Sequence, residues 1–119
     1  SDLSAMAAGA LVALHGGSEK AIIHAAAMAI KNLLGLVCDP VAGLVEVPCV
    51  KRNVVGAMNA LSSADMALAG IESRIPPDQV IDAMKEVGDQ MNSSLKETGL
   101  GGLAGTPFGK EVAENFLGK

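Results

Sequence analysis

The chain has no tryptophan, no tyrosine and only two phenylalanines, Phe108 and Phe116. Aromatic platforms on which bases stack are therefore missing. Positive charge is also scarce, with nine Lys and Arg against thirteen Asp and Glu and a net charge of −4. The basic residues are scattered, whereas binding a nucleic-acid backbone needs them clustered. No long uninterrupted apolar run occurs. The most apolar stretch, Ala21 to Cys38, carries His24, Lys31 and Asn32 and falls short of a membrane span. The opening residues Ser1-Asp2-Leu3 lack the basic start of a secretory signal. These absences exclude nucleic-acid and membrane partners and leave a cytoplasmic location as the expectation.

What remains is an aliphatic chain. Half of its 119 residues are hydrophobic, enough for one domain, residues 1–119. Without large rings the interior must be built from Ala, Leu, Val, Ile and six Met. Small side chains contribute little apolar area each, so helices must approach closely. A domain of this size exposes much of its surface, and a chain this apolar is expected to lean on a partner domain for part of its burial.

Leu3 to His15 is Ala-rich and reads as a helix closed by Gly16-Gly17. Ser18 is placed to cap a second helix with Glu19 in its first turn. That helix runs to about Leu33, is apolar on nearly every face and is expected to be central. Gly35 to Pro48 holds Gly35, Pro40, Gly43 and Pro48 and cannot be one regular helix. Helical pattern resumes at Val50 and runs to about Gly70, with Val54, Ala57, Met58, Leu61, Ala64 and Leu68 on one stripe. Ile75-Pro76-Pro77-Asp78 is a break followed by a helix start. The helix after it carries Val80, Ile81, Met84, Val87 and Met91 on one face and Asp82, Lys85, Glu86 and Asp89 on the other. Gly99 to Gly105 is a second glycine-rich loop, and Thr106-Pro107 opens a short closing helix. No segment alternates with period two for long. The fold class is therefore all-α, a compact helical domain of five to six helices with two irregular Gly/Pro-rich loops. The methionines at helical spacing read as core, and His15 and His24 as packing or capping residues.

Chemistry concentrates at the two cysteines, Cys38 and Cys49. A free cysteine often behaves as a small buried hydrophobe. Here each one lies beside helix-breaking residues, and Cys49 follows Pro48 at the start of a helix, where amide dipoles favour a thiolate. Lys51 and Arg52 add positive charge. Thiolates are the ligands of iron–sulfur clusters and of zinc, but two complete neither site. A structural zinc needs four ligands, and beyond the cysteines only His15 and His24 are on offer.

The run Gly35-Leu36-Val37-Cys38-Asp39-Pro40-Val41-Ala42-Gly43, followed by Val47-Pro48-Cys49-Val50-Lys51-Arg52-Asn53, resembles the signature of the iron–sulfur-dependent L-serine dehydratases. Ser94-Leu95-Lys96-Glu97-Thr98-Gly99-Leu100-Gly101-Gly102-Leu103-Ala104 resembles that family's C-terminal motif. Ser4-Ala5-Met6-Ala7-Ala8-Gly9 looks like the small-residue helix upstream of both. The likeness covers essentially the whole chain, as the C-terminal part of the α-type, cluster-binding catalytic domain.

The resemblance implies a [4Fe–4S] cluster held by three cysteines, its fourth iron left open for substrate. Cys38 and Cys49 match two of the three positions. The third belongs to a Gly-Cys-Gln motif that would precede Ser1. A terminal cysteine found in some members has no counterpart in Gly118-Lys119. The implied reaction converts L-serine to pyruvate and ammonia, a step of amino-acid degradation that feeds gluconeogenesis, with the open iron activating the serine hydroxyl. The implied partners are L-serine, the family's β-type domain or subunit, and further copies in a homo- or hetero-oligomer. The catalytic base is not identified. Arg52 admits two readings, pairing the substrate carboxylate or capping loop carbonyls. Asn53, Lys96, Glu97 and Thr98 are further pocket candidates. Asp39 and Glu46 either orient ligands or, as acids in loops usually are, stay solvated. The alternative for the isolated polypeptide is a non-catalytic helical interaction module that no longer binds a cluster.

Overall fold

Local signals in the chain translate directly into helices in the computed structural model, which describes residues 2–44, 46–96 and 98–117. Helix α1 spans Asp2–Leu14 and ends at the glycine pair. The Gly17 amide donates to Val12 O at 2.9 Å and the Gly16 amide to Ala13 O at 3.1 Å, with Gly16 at φ +74°. This is the left-handed stop expected there. Helix α2, Glu19–Asn32, opens on Ser18, whose side chain accepts the Ala21 amide at 3.1 Å, a cap of about 1 kcal/mol. Helices α3, Cys49–Leu68, α4, Pro77–Gln90, and α5, Pro107–Leu117, complete the set. Short 3-10 turns occupy Val41–Gly43, Ser93–Leu95 and Gly102–Gly105. Among the described residues there is no strand, only an isolated parallel bridge between Cys38 and Lys96. The all-α reading holds, and both irregular loops contain ordered turns. No helix of the described residues is long and apolar enough to cross a membrane.

The chain, read above as one domain, packs as two compact units. The first comprises residues 1–35 and 54–89. Its core is made mainly of alanine: Ala5 and Ala8 of α1, Ala25, Ala27 and Ala29 of α2, and Ala60, Ala64 and Ala67 of α3. Val12, Met28, Ile30 and Val80 supply the larger side chains. Small residues let the helices approach closely enough for backbone to be reached by polar side chains. Ser4 Oγ donates to Gly56 O at 2.8 Å. Asn59 Nδ2 donates to Ser4 Oγ at 2.9 Å and to Ala29 O at 3.0 Å, while its Oδ1 accepts from Asn32 at 2.7 Å. One side chain thereby joins α1, α2 and α3. His24 and His15 are packing and capping residues, as expected: His24 Nδ1 accepts the Ser73 amide at 3.0 Å, and His15 Nδ1 lies 2.8 Å from Leu11 O.

Three expectations about the core are corrected. The α3 stripe of Val54, Ala57, Met58, Leu61 and Leu68 is exposed; of the residues assigned to it only Ala64 is buried. The buried face instead carries Ala60, Ser63, Ala64 and Ala67. Periodicity identifies a stripe but not its direction, and here close packing selects the narrow face. Met6 and Met58 are likewise exposed, and only Met28 is fully core. Helix α2 is buried over its second half, while Ile23 faces outward. Both phenylalanines are exposed as well, so neither anchors the interior.

The second unit comprises residues 36–53 and 90–119. It contains the first turn of α3, the three 3-10 turns and α5. Thr106 Oγ1 accepts the Gly109 amide at 3.1 Å, and Pro107 occupies the first helical position, as the sequence indicates. Helix α5 packs on the turns at Val41–Gly43 and Gly102–Gly105. Gly109 is buried there, and a Cβ on it would lie 2.6 Å from Leu103 O, so this approach requires glycine.

Candidate functional site

Cys38, Cys49, Arg52, Asn53, Lys96 and Thr98 all fall in the second unit. Cys38 is fixed through its backbone: its amide donates to Leu95 O at 2.9 Å, and it pairs with Lys96 in the parallel bridge. The cysteine-bearing segment and the Ser94–Ala104 motif, more than fifty positions apart, are thus adjacent. Pro40 then directs the chain into the Val41–Gly43 turn, in which Ala42 adopts φ +56°. The Val41 amide returns to Val47 O at 2.9 Å and closes the excursion. The Val47–Pro48 peptide is cis. Cys49 is the first residue of α3, and the Arg52 amide donates to Pro48 O at 3.1 Å.

Between the cysteines lies the feature that sequence reasoning underrated. Asp39 is not solvated but buried, at 2% exposure. Its Oδ2 accepts the Leu103 amide at 2.6 Å, and its Oδ1 accepts Arg52 Nη1 at 2.6 Å. The same Nη1 donates to Val37 O at 2.9 Å. Arg52, one helical turn after Cys49, therefore grips both residues that flank Cys38. Burial pushes the Asp39 carboxyl towards protonation; the Leu103 amide, then the Arg52 hydrogen bond and its charge, together outweigh this and hold it below the ordinary aspartate range. Arg52 thereby caps the Val37 carbonyl and forms an ion pair with Asp39. The chemical signal was present, an acid after the first cysteine and an arginine after the second, but their pairing across 13 positions leaves no local pattern.

Glycines line the contact between the two motifs. A Cβ at Gly102, which has φ +60°, would run into the Asp39 carboxylate. One at Gly99 would lie 3.2 Å from the Gly43 nitrogen. Asn53, Lys96 and Thr98 are exposed and available to a ligand, whereas Glu97 lies outside the described residues, as does Val45. Glu46 is exposed, the solvated state expected of a loop acid.

Cys38 and Cys49 are half-buried and not joined by a disulfide. As donors they fit two thiolate positions of a soft-metal centre. Among the described residues no group of three or more His, Cys, Asp or Glu is placed to hold a metal ion.

Comparison with known proteins places this arrangement. The family model described as serine dehydratase alpha chain matches residues 3–104. The "Probable L-serine dehydratase, alpha chain" of Latilactobacillus sakei is 61% identical over 116 residues, covering 98% of this chain and 56% of the relative. The protein of the same name from Bacillus subtilis (strain 168) is 60% identical over 115 residues, 97% of this chain and 38% of the relative. The "L-serine dehydratase, alpha chain" of Peptoniphilus asaccharolyticus is 56% identical over 114 residues, 96% of this chain and 39% of the relative. The chain therefore spans between 38% and 56% of the length of these relatives.

Proposed function

This chain belongs to the serine dehydratase alpha chain family, and on that premise we propose that it forms part of an L-serine ammonia-lyase, converting L-serine to pyruvate and ammonia, whose catalytic centre is an iron–sulfur cluster. The single observation carrying the reading is the joining of the two motifs in one unit: the segment bearing Cys38 is bonded to the Ser94–Ala104 motif through Leu95 and Leu103, and to the first turn after Cys49 through Arg52.

In this reading Cys38 and Cys49 hold the cluster as thiolates. When bound, a [4Fe–4S] cluster with one iron open supplies a Lewis acid for the serine hydroxyl. The chain's own residues bind and position. The exposed side chains of Asn53, Lys96 and Thr98 offer donors for the substrate carboxylate, Lys96 with a full positive charge. Proton abstraction from the α-carbon is left to a base outside the residues identified here. Loss of water from serine then gives an enamine, and its hydrolysis returns that water and releases ammonia. A third thiolate would come from a cysteine beyond these 119 residues. A thiolate-held centre also suits the reducing cytoplasm.

Exposed apolar side chains support a partner. Val54, Met58 and Leu61 form an outward stripe on α3, and Phe108 and Phe116 are open on α5. The relatives' name, alpha chain, agrees with a β-type domain or subunit, and with oligomers, covering such faces.

The decisive experiment replaces Cys38 and Cys49 by serine in the full-length protein. Iron content, sulfide content and serine-dependent pyruvate formation should all be lost together. A colourless, iron-free wild type that stays fully active after both replacements would refute the reading.

A further inference from the structure

We propose that Asp39 and Arg52 are positioning residues that fix the segment carrying Cys38 against the helix turn carrying Cys49, so that the two thiols are presented as a preformed pair. The inference rests on the ligand reading above and extends it to two side chains that need not touch the metal. Three observations carry it. Arg52 Nη1 bonds to Val37 O and to Asp39 Oδ1, the residues on either side of Cys38. Arg52 itself lies in the turn that Cys49 begins, held by its amide bond to Pro48 O. Asp39 is buried and its second oxygen is taken by the Leu103 amide, so the carboxylate cannot swing away from Arg52 without losing that bond as well.

The geometry also fits the chemistry of the arrangement. A guanidinium nitrogen engaged by one carbonyl and one carboxylate oxygen has little freedom, and its charge is partly balanced by Asp39. The pair thus fixes the loop with its two opposite charges joined to each other. Partners of this kind, which orient ligands rather than bind metal, typically change metal affinity about 10- to 100-fold when lost.

The test uses the full-length protein, freed of iron and then reconstituted anaerobically with ferrous iron and sulfide. Asp39→Ala and Arg52→Gln should weaken iron retention against a chelator roughly 10- to 100-fold, and Arg52→Lys should recover much of that loss. Asn59→Ala serves as the stability control, since it breaks hydrogen bonds only in the other unit; it should lower the unfolding temperature yet leave iron retention unchanged. A second readout needs no iron: in the iron-free protein, alkylation of Cys38 should be several-fold faster in Arg52→Gln than in wild type, and unaltered in Asn59→Ala. If Asp39→Ala does not fold, Arg52→Gln carries the test, since its side chain is 32% exposed. Iron retention and alkylation both at wild-type level in Arg52→Gln would overturn the proposal, as would equal losses in Asn59→Ala. Retention of iron by the cysteine-to-serine variants would instead overturn the ligand reading, and the alkylation rates would still decide whether the pair is positioned.

Discussion

The Asp39 carboxylate accepts the Leu103 amide at 2.6 Å across 64 positions of sequence. That bond, and the Arg52 contact on the other oxygen, turn a loop acid into the point where three segments of the second unit meet. Its burial is tolerable only because both oxygens are occupied by donors.

Acid should loosen this unit first. The folded-state pKa of Asp39 lies below the ordinary value, so the unfolded chain binds more protons in the interval between the two. The stabilisation is complete above the unfolded value, about 3.9, and is lost as pH falls through the folded value. Asp39→Asn should flatten the dependence of the urea midpoint on pH below about pH 5. Glu72, also held low by its hydrogen bond and charge interaction with Lys20, acts in the same direction but is exposed, so added salt should diminish its share and spare that of Asp39.

Two glycines with the same backbone handedness should respond differently to alanine. Gly70 has φ +88° and, among the described residues, nothing within 4 Å of the place an added methyl group would take, so Gly70→Ala should cost only the left-handed penalty, about 1 kcal/mol. Gly102 has φ +60° and the Asp39 carboxylate in the way. Gly102→Ala should therefore cost on the order of 3 kcal/mol or more and should expose Asp39. Chemical denaturation of both variants checks the difference; equal losses would show that the contact is not tight.

Much of the architecture was legible because it is local. The Gly16-Gly17 stop, the Ser18 cap, the Pro76-Pro77 break and the Thr106-Pro107 start each depend on residues within one turn. The α3 face was not legible, since Val54, Met58 and Leu61 make as regular a stripe as Ala60, Ala64 and Ala67, and only the tertiary packing distinguishes them. In the candidate site the motif containing both cysteines stood out as a resemblance. The function of Asp39 did not, because its partners are 13 and 64 positions away and sequence spacing carries no trace of either.

Asn59 should be the costliest polar residue of the first unit to remove. It donates to Ser4 Oγ and Ala29 O and accepts from Asn32, joining three helices whose alanine faces contribute little area. Asn59→Ala would leave the Ala29 carbonyl without this donor and should cost about 2–3 kcal/mol, seen as a drop in the midpoint of thermal unfolding. Asn59→Asp keeps the acceptor but loses both donated bonds, and should destabilise comparably or more.

Ser63 predicts a gain. It is fully buried on α3, and among the described residues its Oγ meets no hydrogen-bond partner, so the hydroxyl leaves bulk solvent on folding without a compensating bond from them. Alanine at this position removes the unsatisfied group, keeps nearly the same volume and has the higher helix propensity. Ser63→Ala should therefore raise stability by about 1 kcal/mol, a shift of a few degrees in the thermal midpoint. Neighbouring Ser62 is exposed, so Ser62→Ala should gain only the propensity difference and provides the comparison. If the two variants shift alike, burial of the Ser63 hydroxyl carries no penalty, and a donor or acceptor must reach it in the folded protein.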